Sequence, residues 1–292
     1  MTAALVTELT PRAAQRRRLR RRFTRRPTAV IGLVGVAFFV LVAIFGPLLS
    51  PGDPDATNYD HIFVSPFSAG HLLGTDDLGR DVLSRLIVGT RASMEAGVAA
   101  TLIAAVIGVV LGLFAGYYRG WLDTVVMRAT DVLLSFPFAI LAVGLASILG
   151  PSLSNAILAL AISLIPTFIR ITRAEVLGLR EQDYVQAAIV SGAPGTVIMF
   201  GHILRNCLTP LVVQASVAIP GSIIGAAMLS FLGLGEQPPT ASWGTMLSES
   251  QNYLSQAAWF AVFPGLAIAL ATLSFNMFGD GLRNVLDPRG DQ

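Results

Sequence analysis

The chain reads as an all-α integral membrane protein with about six transmembrane helices, built as one domain of 292 residues. Three observations carry this reading. Hydrophobic residues make up 53% of the chain and charged residues only 13%, against about 25% charged in soluble domains. Mean hydropathy is +0.67. Apolar runs long enough to cross hydrocarbon as helix, about 17 to 25 residues, recur through the sequence. Inside hydrocarbon each run must be helical, because nothing else there satisfies its backbone groups.

The runs fall at 28–49, 96–118, 132–149, 152–169, 207–234 and 258–279. Only Gly150 and Pro151 separate the third from the fourth. An unbroken helix across both exceeds one span, so a tight hairpin is expected. The fifth run is too long for a straight span, and Pro210 and Pro220 predict kinks or an interfacial start. Pro137, Pro166, Pro220 and Pro264 place potential kinks in four spans. The chain divides into an Arg-rich segment at 1–27, a first span with its outer loop at 28–95, a five-helix core at 96–280, and a tail at 281–292. An inner loop at 170–206 lies within the core.

Orientation follows from the basic residues, all 20 of which are Arg. With the N-terminus inside, seventeen face inward, and only Arg80, Arg85 and Arg91 face outward. The positive-inside rule then puts both termini in the cytoplasm. The Arg16–Arg26 stretch directly precedes the first span, so it reads as a topology signal or anionic-lipid contact before a nucleic-acid arm. The apolar run after it is too long for the core of a cleaved signal peptide.

No lysine is present, which excludes a Walker-type phosphate loop and Schiff-base chemistry. Cys207 stands alone and reads as a small apolar helix residue. His61, His71 and His202 fall in predicted loops. Ser216, Ser222 and Ser230 have no neighbouring His or Asp to activate them, so an intramembrane protease is disfavoured. Glu95, Arg128, Asp131 and Asp280 fall at span edges, where charges solvate or pair.

The outer loop begins with turn chemistry at Pro51-Gly52-Asp53-Pro54. It continues His71-Leu-Leu-Gly-Thr-Asp-Asp-Leu-Gly-Arg-Asp-Val-Leu-Ser-Arg-Leu86. With Thr75 or Asp76 as N-cap, Leu78, Val82, Leu83, Leu86 and Ile87 share a helical face, leaving Arg80, Asp81 and Arg85 off it. The expectation is an amphipathic helix on the membrane surface or against a partner. A metal reading of His71 with Asp76 and Asp77 is weaker. Gly108, Gly112 and Gly116 form a double GxxxG, and Gly221 with Gly225 another; both predict close helix packing.

The inner loop carries its own helical pattern from Asp183 and Tyr184 through Gln186, Ala187 and Ala188 to Gly192-Ala193-Pro194. The paired alanines make a narrow surface that another protein can approach. Gly192 suits a C-terminal cap and Pro194 the first turn of a second helix. The loop therefore reads as helix, sharp turn, helix.

This pattern, Gln186-Ala-Ala-x3-Gly192-x9 followed by His202-Ile-Leu204, resembles the EAA loop of ABC-importer permeases, whose short helix fits a groove on the ATPase. Gln186 replaces the family's acidic residue and Arg205 its proline; Asp183, one turn earlier, can substitute for the acid. The 71–86 block resembles the second permease subunit of the dipeptide/oligopeptide/nickel branch. So do Leu229-Ser-Phe-Leu-Gly-Leu-Gly-Glu-Gln-Pro-Pro239, Ser242-Trp-Gly244 and Asn276-x3-Asp-Gly-Leu-Arg-Asn-Val-Leu-Asp-Pro288. The likeness runs in order over about residues 28–289.

The resemblance implies a type I importer permease with a MetI-like fold in a bacterial cytoplasmic membrane. It implies a homologous second permease, two ATP-binding subunits that hold ATP and Mg, and an extracytoplasmic binding protein. The chain itself would hold no cofactor or metal, bind no nucleic acid and catalyse no covalent step. Di- or oligopeptides are the implied substrates, with nickel chelates or glutathione as the alternative. A secondary transporter is remote, because neither mid-membrane ionisable residues nor repeated halves are evident.

Overall fold

A computed structural model describes Thr24 and residues 26–286; most of the arginine run and the tail from residue 287 lie outside the described residues. All regular structure among the described residues is helical. Five helices are long and apolar enough to cross a bilayer, and a bent pair makes up to a sixth.

Helix α1 (Pro27–Leu49) starts on a proline, whose fixed φ suits a first turn that leaves the N–H unused. It is apolar on every side and exposes Ile31, Val34, Phe38 and Leu41, as a lipid-facing span does. Helix α2 (Val82–Tyr118) is capped by Asp81, whose side chain accepts from the Ser84 N–H at 2.8 Å. Its 37 residues make a rod of about 55 Å, far longer than the roughly 30 Å of hydrocarbon. It ends at Arg119 and Gly120, both at positive φ.

Here the structure corrects the sequence reading. No separate amphipathic helix begins at Thr75 or Asp76. The Asp76 carboxylate accepts from the backbone N–H groups of Leu78 and Arg80, both at 2.9 Å, and Gly79 sits at φ +72. A side chain that takes these N–H groups competes with helix, so 76–81 is a tight turn. From Val82 onward the helix runs straight into the second span.

The third span is also different. Helices α3 (Gly120–Leu134) and α4 (Phe138–Leu149) meet at a 95° bend. Pro137 sits at that break, whereas Pro166, Pro220 and Pro264 lie inside continuous helices. The expected hairpin is present: Ser152 caps α5 (Leu153–Arg180) by accepting from the Asn155 N–H.

Helix α5 continues past 169 to Arg180, since Arg170 and Arg173 pair with α3 and do not end it. Beyond it come α6 (Asp183–Val190) and α7 (Gly195–Phe231), which includes a π-helical turn at Ile198–Ile203. The inner loop thus shrinks to the stretch around α6, and His202 lies in helix. Helix α8 (Trp243–Ser250) carries a Ser242–Thr245 capping box, and α9 (Ala258–Leu286) runs past the expected boundary at 280.

The glycine seam explains the core. A Cβ on Gly108, Gly112 or Gly116 would meet the Cβ of Phe168, Thr172 or Val176 at 2.5, 2.6 and 2.8 Å. Helices α2 and α5 therefore pack backbone to backbone around the fully buried Phe168. Gly225 serves α7 in the same way against Leu160 and Phe138, but Gly221 faces open space, with nothing within 4 Å of its Cβ position among the described residues. Gly32 of α1 abuts Met277 and Phe278 of α9, so both described ends share one end of the bundle. That end is called inner, after the arginine rule.

Candidate functional site

Two polar regions stand out, one at each end. At the inner end, α6 is anchored by Val185, which is buried in a cluster with Val176, Ile198, Ile203 and Cys207. Gln186 donates from Nε2 to the Arg180 carbonyl at 2.8 Å. It thereby satisfies one of the orphan acceptors at the end of α5, a task an acidic side chain cannot perform. Asn206 of α7 donates to the Tyr184 hydroxyl at 3.0 Å. Arg180 lies 5.5 Å above the Tyr117 ring, and Arg119 meets Glu181 at 3.5 Å. The base beneath is tied by Arg173 to Asp123 at 2.5 Å and Arg170 to Asp131 at 2.7 Å.

The turn after α6 is a C-cap. Gly192 takes φ +76 and donates to the Ile189 carbonyl, and Ala193 donates to that of Ala188. Nothing lies within 4 Å of where a Gly192 Cβ would be, so backbone conformation alone requires glycine there. Pro194 precedes Gly195, the first residue of α7.

The other face of α6 is apolar and uncovered. Tyr184, Ile189 and Val190 are exposed, Val190 at 86%, and Val197 and Phe200 continue the patch along α7. Ala187 is exposed, but Ala188 is half-buried against the anchoring cluster. The two alanines therefore do not share one docking surface. Asp183 is exposed in the first turn of α6.

At the outer end the charges are buried. Arg80 Nε meets Asp76 Oδ2 at 2.6 Å, and the NH2 groups of Arg80 and Arg85 both reach Glu249 Oε2 at 3.0 Å. Arg85 also lies 3.6 Å from Asp76 and 3.7 Å from Asp55. Arg85 and Asp76 are 0% exposed. These arginines, expected off the apolar face, are interior residues. The cluster fastens the 50–81 segment to α8, and Trp259 of α9 adds a hydrogen bond to the Thr75 carbonyl. Burial pushes the Glu249 carboxyl above its ordinary value, while Arg85 and Arg80 oppose the shift. Burial and the neighbouring Asp76 raise Asp77.

Oxygens of Asp76, Asp77 and Glu249 lie within 4.8 Å of one another. The guanidinium groups of Arg80 and Arg85 already occupy the Asp76 and Glu249 carboxylates, so the donor set does not suit a cation. His71 pairs with Asp81 at 2.9 Å and not with Asp76 or Asp77. Sequence reasoning missed Glu249 and Asp55. Glu249 stands 164 residues from Arg85, and no spacing signal links them.

The chain matches the family described as binding-protein-dependent transport system inner membrane component over residues 108–291. Residues 15–66 match the N-terminal TM domain of oligopeptide transport permease C. The chain is similar to the dipeptide transport system permease protein DppC of Escherichia coli (strain K12), 48% identical over 91% of each chain. It is also similar to DppC of Alkalihalophilus pseudofirmus, 43% identical over 89% of this chain and 86% of that protein. In solved structures, it resembles a chain of the MetNI methionine ABC transporter in an inward-facing conformation, with TM-score 0.58 and 18% identity over 69% of this chain and 96% of that chain. The fold is that of a MetI-type permease, as the resemblance implied.

Proposed function

The chain belongs to the family of binding-protein-dependent transport system inner membrane components, and from that membership we propose that it forms half of an ATP-driven import path for di- or oligopeptides. The observation that carries the coupling half of this reading is α6. It is an eight-residue helix held outside the spans, anchored by Val185 and Gln186, with Tyr184, Ile189 and Val190 left bare. An apolar patch of that kind marks a protein contact. Here the contact is an ATPase subunit, and the 184–200 segment carries its motion to α5 and α7.

ATP and Mg are held by two such partner subunits, consistent with the lack of any lysine in this chain. A homologous second permease supplies the other half of the path, and an extracytoplasmic binding protein delivers substrate. The chain lies in the bacterial cytoplasmic membrane with both termini inside, supported by the arginine asymmetry. Peptides are favoured over nickel chelates or glutathione because the similar proteins are named dipeptide permeases.

The test is uptake of a labelled dipeptide into vesicles that carry the whole complex. Uptake is expected to require ATP, the ATPase subunits and the binding protein. Uptake that persists without the ATPases would overturn the reading.

A further inference from the structure

The outer half of α2 carries two charges without an ion-pair partner among the described residues. Arg91 and Glu95 are exposed, and neither makes an ion pair or hydrogen bond among the described residues. Sequence reasoning placed Arg91 in the outer loop and Glu95 at a span edge. The structure places both inside the continuous helix Val82–Tyr118.

Their depth follows from α1. Gly46 approaches the Ile87 carbonyl, three residues before α1 ends at Leu49. Arg91 lies one turn further in and Glu95 two turns, across from Val40, Ala43 and Ile44. Helix α1 is 23 residues, about 34 Å, close to one hydrocarbon thickness. Both charges therefore stand below the membrane surface. Ionisable residues at that level face a water-filled cavity or a polar partner, and they mark substrate paths.

A groove of about 370 Å³ lies between the two helices at this level, walled by Val40, Ala43 and Ile44 on α1 and Met94 and Val98 on α2. That is within the range of small-molecule sites, which combine apolar walls with a few placed polar groups. Arg91 and Glu95 are the charged groups that line it. One helical turn separates their Cβ atoms by about 5 to 6 Å. An extended dipeptide spans about 7 Å, with an ammonium at one end and a carboxylate at the other.

We propose that this groove is a way-station for the peptide zwitterion, with Arg91 taking the terminal carboxylate, Glu95 the terminal ammonium, and the apolar walls the side chains. The assignment rests on the peptide-import reading. It adds a contact made by the permease itself and predicts preference for short peptides with both termini free.

The test uses the assembled complex in proteoliposomes, with Cys207 replaced by Ser and Val98→Cys as the sole reporter. A water-soluble thiol reagent is expected to modify position 98, and saturating alanyl-alanine with the binding protein to slow that modification. Arg91→Gln and Glu95→Gln should each abolish the protection and lower initial dipeptide uptake by about tenfold. Arg91→Lys and Glu95→Asp, which keep the sign of charge, should recover part of both. Modification only by a lipid-soluble reagent would mean a lipid site, and modification by neither a buried interface; either result overturns the proposal. Wild-type protection and uptake in both neutral variants would overturn it as well. A wild-type complex that takes up no dipeptide would instead reject the peptide reading, while position 98 still reports whether the groove is aqueous.

Discussion

The two ends of the bundle handle polarity in opposite ways. At the outer end Arg80, Arg85 and Asp76 are buried and ion-paired with one another and with Glu249, although Arg85 Nε and Nη1 have no hydrogen-bond partner among the described residues. At the inner end the polar groups of Gln186, Arg180 and Asn206 are spent on holding α6 still, and its apolar residues face out. The first arrangement closes the chain on itself. The second leaves surface that only another molecule can cover. Burying charge costs desolvation, so it persists where geometry must be fixed; exposing apolar surface persists where contact must be made.

The sharpest way to break this contrast is to remove one charge from the closed end. Arg85→Met leaves the buried carboxylates of Glu249 and Asp76 with Arg80 as their one remaining guanidinium partner, and removing one member of a buried charge cluster typically costs about 3 to 5 kcal/mol. Thermal unfolding of the purified complex should show that loss, and adding Glu249→Gln should recover part of it. A loss below about 1 kcal/mol would mean that the cluster behaves as a hydrated surface network.

At the open end the expected effect divides between two neighbouring residues. Ala187 is exposed and Ala188 half-buried, so Ala187→Trp should impair ATPase docking and uptake while leaving thermal stability unchanged. Ala188→Trp must also overpack the cluster beneath α6, at a cost of about 1 to 3 kcal/mol. Pull-down of the ATPase subunits together with melting curves separates the two. Equal behaviour of both variants would mean that α6 does not hold the orientation described.

The smallest effect concerns Asp77, whose Oδ1 is buried without a hydrogen-bond partner. Its folded carboxyl holds a proton more firmly than the unfolded one, because of burial and then Asp76. The associated stability is full below the ordinary carboxylate value and is lost as pH rises through the raised one. Asp77→Asn should flatten the melting temperature across that mildly acidic window. A slope unchanged in the variant would place the titrating group elsewhere.

Much of this architecture is legible in the sequence, and the failures have physical causes. Gly108, Gly112 and Gly116 announce the α2–α5 seam because their spacing is local. The cap at Gly192 is legible for the same reason. Local spacing says nothing about Glu249 finding Arg85, so the arginines read as solvated when they are interior. Apolar periodicity also continues smoothly across Asp81, hiding that helix begins only at Val82, while the charges of Arg91 and Glu95 hide that residues 82–95 and the second span are one helix. Gly221 shows the converse error: a correct spacing with no neighbour among the described residues to receive it.

The uninterrupted length of α2 has a mechanical consequence. No proline interrupts it, its first turn is clamped among the buried outer charges, and its last turn touches Arg180 and Gly195 through Tyr117. It is a stiff lever that reaches both faces of the membrane. With a length of about 55 Å, a tilt of about 5° about its midpoint swings each tip by about 2.4 Å, in opposite directions. Movement at the base of α6 and movement of the outer platform are then two readings of one rotation.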